Sequence, residues 1–208
     1  MTKDQIQSVR DDIAFMRALA EEGTQVPLLG GGVTLAAGLI FGTAAVGHWL
    51  IAEGILKLSE WALVANWIGS GVIFGIVCHL VVRRGAAQPG ASSSVNKATG
   101  SAWSAIGLTI LTMFLALMVM AWVTHNAAIF NVFPVLILAL YGAAWTVAAD
   151  LSGQLWIRMV ALGSFAAAVV MALLAASSFL MLAYAAALLL LAAVPGFILL
   201  RREPSDTI

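Results

Sequence analysis

The sequence predicts an all-α integral membrane protein, six transmembrane helices in a bundle preceded by a cytoplasmic amphipathic helix. Three observations predict it. The 208 residues are 62% hydrophobic and only 10% charged, whereas soluble domains carry about 25% charged residues. The apolar residues fall into six runs, each near the roughly 20 residues of helix needed to cross a hydrocarbon core about 30 Å thick. The basic residues segregate to one side of those runs.

The runs are 28–50, 61–82, 103–123, 132–149, 155–175 and 179–200. None shows the alternation of a β-barrel strand, and a helix satisfies its own backbone in lipid. The polar breaks are short except for "RRGAAQPGASSSVNKATGS", whose Gly, Pro and Ser content predicts a flexible loop between a two-helix and a four-helix part. The expected organisation is an amphipathic helix over 1–25, a bundle over 26–202 and a tail over 203–208. With six spans, Lys3, Arg10, Arg17, Arg83, Arg84, Lys97, Arg158, Arg201 and Arg202 share one face and Lys57 stands alone on the other. Nine against one places both termini in the cytoplasm by the positive-inside rule, most simply at a bacterial inner membrane. Tryptophans at span ends, including Trp49, Trp61, Trp122, Trp103 and Trp156, suit headgroup anchoring; Trp67 and Trp145 lie slightly deeper.

Small residues forecast packing. Gly30, Thr34, Gly38 and Gly42 recur every fourth residue in the first run, and Gly71 and Gly75 do so in the second. Dispersion between closely approaching backbones is a main packing force in lipid, so these faces predict a tight hairpin of the first two helices. Pro195 predicts a carbonyl without its helical partner and a kink in the sixth.

Candidate chemistry is sparse. "HWLIAEGILKLSEW", residues 48–61, sets His48, Glu53, Lys57 and Glu60 between two spans. His125 falls on the same side. His48, His125, Glu53 and Glu60 have the donor types for a divalent metal, and the two imidazoles could also ligate haem. No segment has ligand spacing, so the expectation is a solvated turn with no cofactor. Cys78 and His79 are adjacent, and neighbours on a helix diverge by about 100°. The span centres carry no ionisable residue, which argues against ion-coupled transport. Walker loops and H-E-x-x-H are absent. Zero net charge argues against nucleic acid as a partner.

The amino-terminal "TKDQIQSVRDDIAFMRALAEEG" has Ile6, Val9, Ile13, Met16 and Ala20 at spacings of 3 and 4, an a/d stripe over two heptads. Five acids against three bases make anionic lipid a poor target. The stripe predicts docking on protein: a second copy or a membrane-complex partner. The function expected is therefore a non-catalytic accessory, regulatory or assembly subunit. The alternatives are a small-solute transporter or channel, with Asn66, Ser70 and Tyr141 lining a path, and a haem- or metal-binding redox protein using His48 and His125.

Overall fold

In the computed structural model, Arg10, Asp12, Ile13, Gln88 and residues 28–59, 61–85 and 90–203 are described. Six helices among them are long and apolar enough to cross a membrane, and no described residue is in a strand. They are α1 (Gly31–Ala52), α2 (Trp61–Gly85), α3 (Ser94–Thr124), α4 (Phe133–Ser152), α5 (Leu155–Leu173) and α6 (Leu180–Arg202). A 3-10 turn, Ala127–Val132, leads into α4. Pro134 follows in the first turn of α4, where a missing N–H costs nothing.

The boundaries follow local chemistry. The expected loop after α2 is cut short, because Ser93 caps α3 by accepting the Asn96 N–H at 3.2 Å and the helix starts nine residues before Trp103. At 31 residues α3 is about 46 Å long, so its polar first turns extend beyond an apolar core of about 30 Å. The "SS" between the last two runs suffices to separate them. Ser177 receives the Phe179 N–H on its hydroxyl at 3.2 Å, and its own N–H returns to Leu174 O at 2.8 Å.

Close packing corrects the expected glycine pairing. The small face of α1 does not meet Gly71 and Gly75. It meets α6. A methyl group on Gly38 would overlap the Ala193 backbone and lie 2.7 Å from its Cβ. One on Gly31 would come 2.6 Å from Gly196 O, and one on Gly196 would come 2.7 Å from Thr34 Oγ1. Gly42 sits against Leu189 at ordinary contact distance. Gly30 is not on this face; it holds the left-handed turn before the helix, φ 103°. Added methyls on Gly71 and Gly75 would meet nothing within 4 Å. The reason is complementarity: α6 offers Ala193 and Gly196, small enough for the α1 backbone to close on. The α1–α2 pair is held by larger groups, such as Phe41 on Phe74 with ring centroids 5.2 Å apart.

α4 and α5 form the second close pair, with the Phe165 ring in the space left by Gly142. α3 packs chiefly on α4. Trp145, 1% exposed, joins α4 to α6. Pro195 explains its partner. Proline donates no hydrogen bond to the carbonyl four residues back, Leu191 O, and that oxygen accepts the Trp145 indole N–H at 3.0 Å. A π-helical turn over Leu189–Ala193 takes up the disturbance. Trp145 is thus core rather than a headgroup anchor, and Trp103 packs edge-on against it and Tyr141. Trp61 and Trp122, 78% and 77% exposed, stand at helix ends.

The chain closes at one end. Glu203 Oε1 accepts the Gly30 and Gly31 N–H groups at 3.0 and 2.9 Å, setting a carboxylate on the positive terminus of α1. Asn96 Oδ1 takes the Leu29 N–H at 2.9 Å. Overpacking costs about 1–3 kcal/mol, so Gly38→Ala is expected to lower the thermal midpoint in detergent, and Gly71→Ala to leave it within about 0.5 kcal/mol of the parent. Equal midpoints for both variants would contradict the α1–α6 packing.

Candidate functional site at the seam of the first helix pair

The richest polar arrangement inside the spans is the seam where α1 and α2 approach the 53–59 loop. The loop is a designed stop. Gly54, φ 69°, takes the left-handed position that ends α1. Its N–H returns to Ile51 O and that of Leu56 to Leu50 O, both at 3.0 Å. Glu53 and Lys57 are exposed. Glu53 and Lys57 therefore face outward from a capped turn.

Below the loop two hydrogen bonds tie the helices. Trp67 Nε1–H donates to His48 Nδ1 at 2.9 Å, with the rings edge-on at 6.1 Å between centroids. From the adjoining position on α2, Asn66 Nδ2 donates to Ala44 O, one turn deeper on α1, at 2.8 Å. Gly47 makes room: a methyl there would sit 3.2 Å from Asn66 Oδ1. Beside these bonds lies a groove of about 340 Å³ lined by Leu39, Ile40, Thr43, Ala44, Asn66, Ser70 and Ile73. Its polar contributors are few, and Thr43 Oγ1 already donates to Leu39 O at 2.7 Å. Asn66 and Ser70 of the suggested solute path line this groove. Tyr141 does not; it is buried on α4 against Trp103.

The seam also bears on ligation. An indole N–H can only donate, so the lone pair of His48 Nδ1 is engaged and the neutral ring carries its proton on Nε2. Neither nitrogen then offers a free lone pair to a metal or haem iron. His125 terminates α3 in a left-handed conformation, φ 50°, and is exposed. Among the described residues no three His, Cys, Asp or Glu side chains gather about a possible cation position; His48, His125 and Glu53 are not brought together, and Glu60 lies outside the described residues. Cys78 is half-buried and His79 exposed.

Of the amino-terminal stripe, Ile13 is described, 56% exposed; Ile6, Val9, Met16 and Ala20 lie outside the described residues. Charged side chains within the spans sit at helix ends. Arg83 and Arg84 end α2 and Arg201 and Arg202 end α6. Asp150 pairs with Arg158 at 2.5 Å where α4 passes into α5, with both side chains more than half exposed. Arg202 lies over the Trp156 ring at 5.5 Å. Besides Asn66, Asn131 joins separate elements, its Nδ2 donating to Ala175 O at 2.8 Å. Ser164 instead bonds Val160 O in its own helix.

Sequence reasoning singled out His48 and Asn66 but not their partners. The available signal was Gly47 directly before His48, a small residue one turn from the span end. The Glu203 clasp had no signal, since its partners are more than 170 positions away. Comparison with known protein families, curated proteins and solved structures finds no match to this chain.

Interhelical hydrogen bonds in membrane proteins average about 0.6 kcal/mol. Asn66→Leu is therefore expected to lower the thermal midpoint by a small, reproducible amount in a fixed detergent. An unchanged or raised midpoint would show that the bond contributes nothing to the pair.

Proposed function

We propose that this protein is a multi-pass membrane subunit that works through protein contacts, in an accessory, regulatory or assembly role, without catalytic chemistry of its own. The observation that carries this reading is α2. It buries none of its 25 residues, whereas every other span has buried positions, and α1 is its main neighbour. A span so little used by its own bundle is free to contact another. The amino-terminal a/d stripe supplies a second, water-side contact in this reading. The intramembrane polar groups support it too: the bonds of Trp145, Asn66, Asn131, Thr43 and Ser164 are internal, which suits a scaffold.

A photo-crosslinking residue placed at position 13, 16, 71 or 75 in native membranes tests this. Protein adducts are expected at one or both pairs of positions. Met16→Asp with the crosslinker at 13, and Ile13→Asp with it at 16, are expected to abolish those of the first pair at unchanged membrane yield, since each carboxylate must be desolvated in the contact. Lipid adducts alone at all four positions would overturn the proposal. Solute flux in liposomes that disappears with Ser70→Leu would replace it with the transporter reading.

The same proposal puts both termini in the cytoplasm, on the strength of the nine-to-one distribution of Lys and Arg. In a Cys78→Ala background, Lys57→Cys is expected to react quickly with an impermeant thiol reagent on intact cells and Ser92→Cys only after lysis. The reverse pattern would invert the orientation.

A further inference from the structure

The His48–Trp67 bond has a property that the neighbouring Asn66–Ala44 bond lacks. Its acceptor is an imidazole, a ring that can take up a proton, whereas a backbone carbonyl stays an acceptor. The bond needs a lone pair on His48 Nδ1. A proton taken from water at that atom gives an imidazolium with two N–H donors and no acceptor. The indole Nε1–H opposite, 2.9 Å away, is also only a donor, so the two groups change from bonded to opposed.

We propose that this pair is a pH-sensitive clasp: protonation of His48 at Nδ1 evicts the Trp67 indole N–H and loosens the loop-side end of α2 on α1, leaving Asn66–Ala44 as the polar tie there. The geometry favours movement of α2 over a local adjustment. α2 buries no residue, while α1 is held along α6 by backbone contacts at Gly31 and Gly38. The other polar bond of this seam, Asn66–Ala44, has its donor next to Trp67 on α2 and its acceptor one turn deeper on α1, and with the indole bond lost it is the seam's remaining polar tie. Proton access is short, because His48 is four residues from the end of α1 at Ala52.

Few other charges bear on the ring. α2 carries no ionisable side chain between Trp61 and Val77. The half of α6 nearest this end, Leu180–Leu188, contributes Tyr184 alone, which is buried. The 53–59 loop contributes Glu53 and Lys57, both exposed. The clasp is closed with a neutral ring and opens as the pH falls through the titration of His48. This inference does not depend on the partner-binding role.

The test uses the full chain in lipid nanodiscs between about pH 8 and pH 5, the range in which imidazoles charge. The indole ¹H–¹⁵N signal of Trp67, identified by its loss in Trp67→Phe, reads the bond. Spin labels at Ala52→Cys and Ala65→Cys, in a Cys78→Ala background, read the separation of α1 and α2. In the parent, acidification is expected to shift the indole signal in a one-proton transition and to broaden the distance distribution in parallel. His48→Gln keeps an acceptor oxygen that does not titrate, and both readouts are expected to stay flat. Trp67→Phe, with no donor, is expected to show the broad distribution at every pH. Flat readouts in the parent, or the same transition in His48→Gln, would overturn the proposal.

Discussion

The closest constraint in this bundle is the contact of α1 with α6. In hydrocarbon, apolar side chains gain nothing by leaving solvent, so helices cohere through dispersion at short range and through hydrogen bonds. Short range requires backbones without side chains between them. Gly31, Gly38 and Gly196 provide that, and the Glu203 carboxylate closes the end of the same pair on the Gly30 and Gly31 N–H groups. The π-turn and Pro195 lie in the α6 segment that lies against α1. The carbonyl that Pro195 leaves available is the one Trp145 holds. The first and last spans, joined in this way, are the frame to which α4 is tied by Trp145.

Against that frame α2 is lightly attached. Its specific contacts with α1 include an aromatic pair, a hydrogen bond from Asn66, one from Trp67, and Val81 against Gly32. Hydrogen bonds of this kind are worth about 0.6 kcal/mol on average in membranes, far less than a continuous backbone contact. Attachment of that strength is what the proposed clasp and the proposed partner contact both draw on. The site chemistry and the proposed role therefore have the same physical origin, a span held by a few replaceable bonds beside a pair held by many close contacts.

The number of spans was legible in the sequence because it depends only on length and apolarity, which lipid reads as directly as the eye does. The face of α1 was legible at Thr34, Gly38 and Gly42 because a four-residue period is a local property. Its partner was not. Gly71 and Gly75 have the same spacing as the glycines of α1 and lie on open surface, while the true complement, Ala193 and Gly196, is hidden in an alanine-rich run beside a proline. The start of α3 was misjudged because a Ser-rich stretch reads as loop until its capping residue, Ser93, is seen to bond the Asn96 N–H. Trp145 was misplaced because position along a span does not reveal which way an indole points. The acceptor of Trp67 is a pairing across helices, and Gly47 beside His48 marks a close approach without naming the residue that makes it.

Magic-angle-spinning NMR on the protein in lipid bilayers, with glycine and alanine selectively carbon-labelled, tests the central contact most directly. If α1 and α6 meet backbone to backbone, the Gly38 Cα signal shows through-space cross-peaks to Ala193. Cross-peaks from Gly38 to Gly71 or Gly75, with none to Ala193, would contradict it and restore the pairing of the first two spans through their glycines.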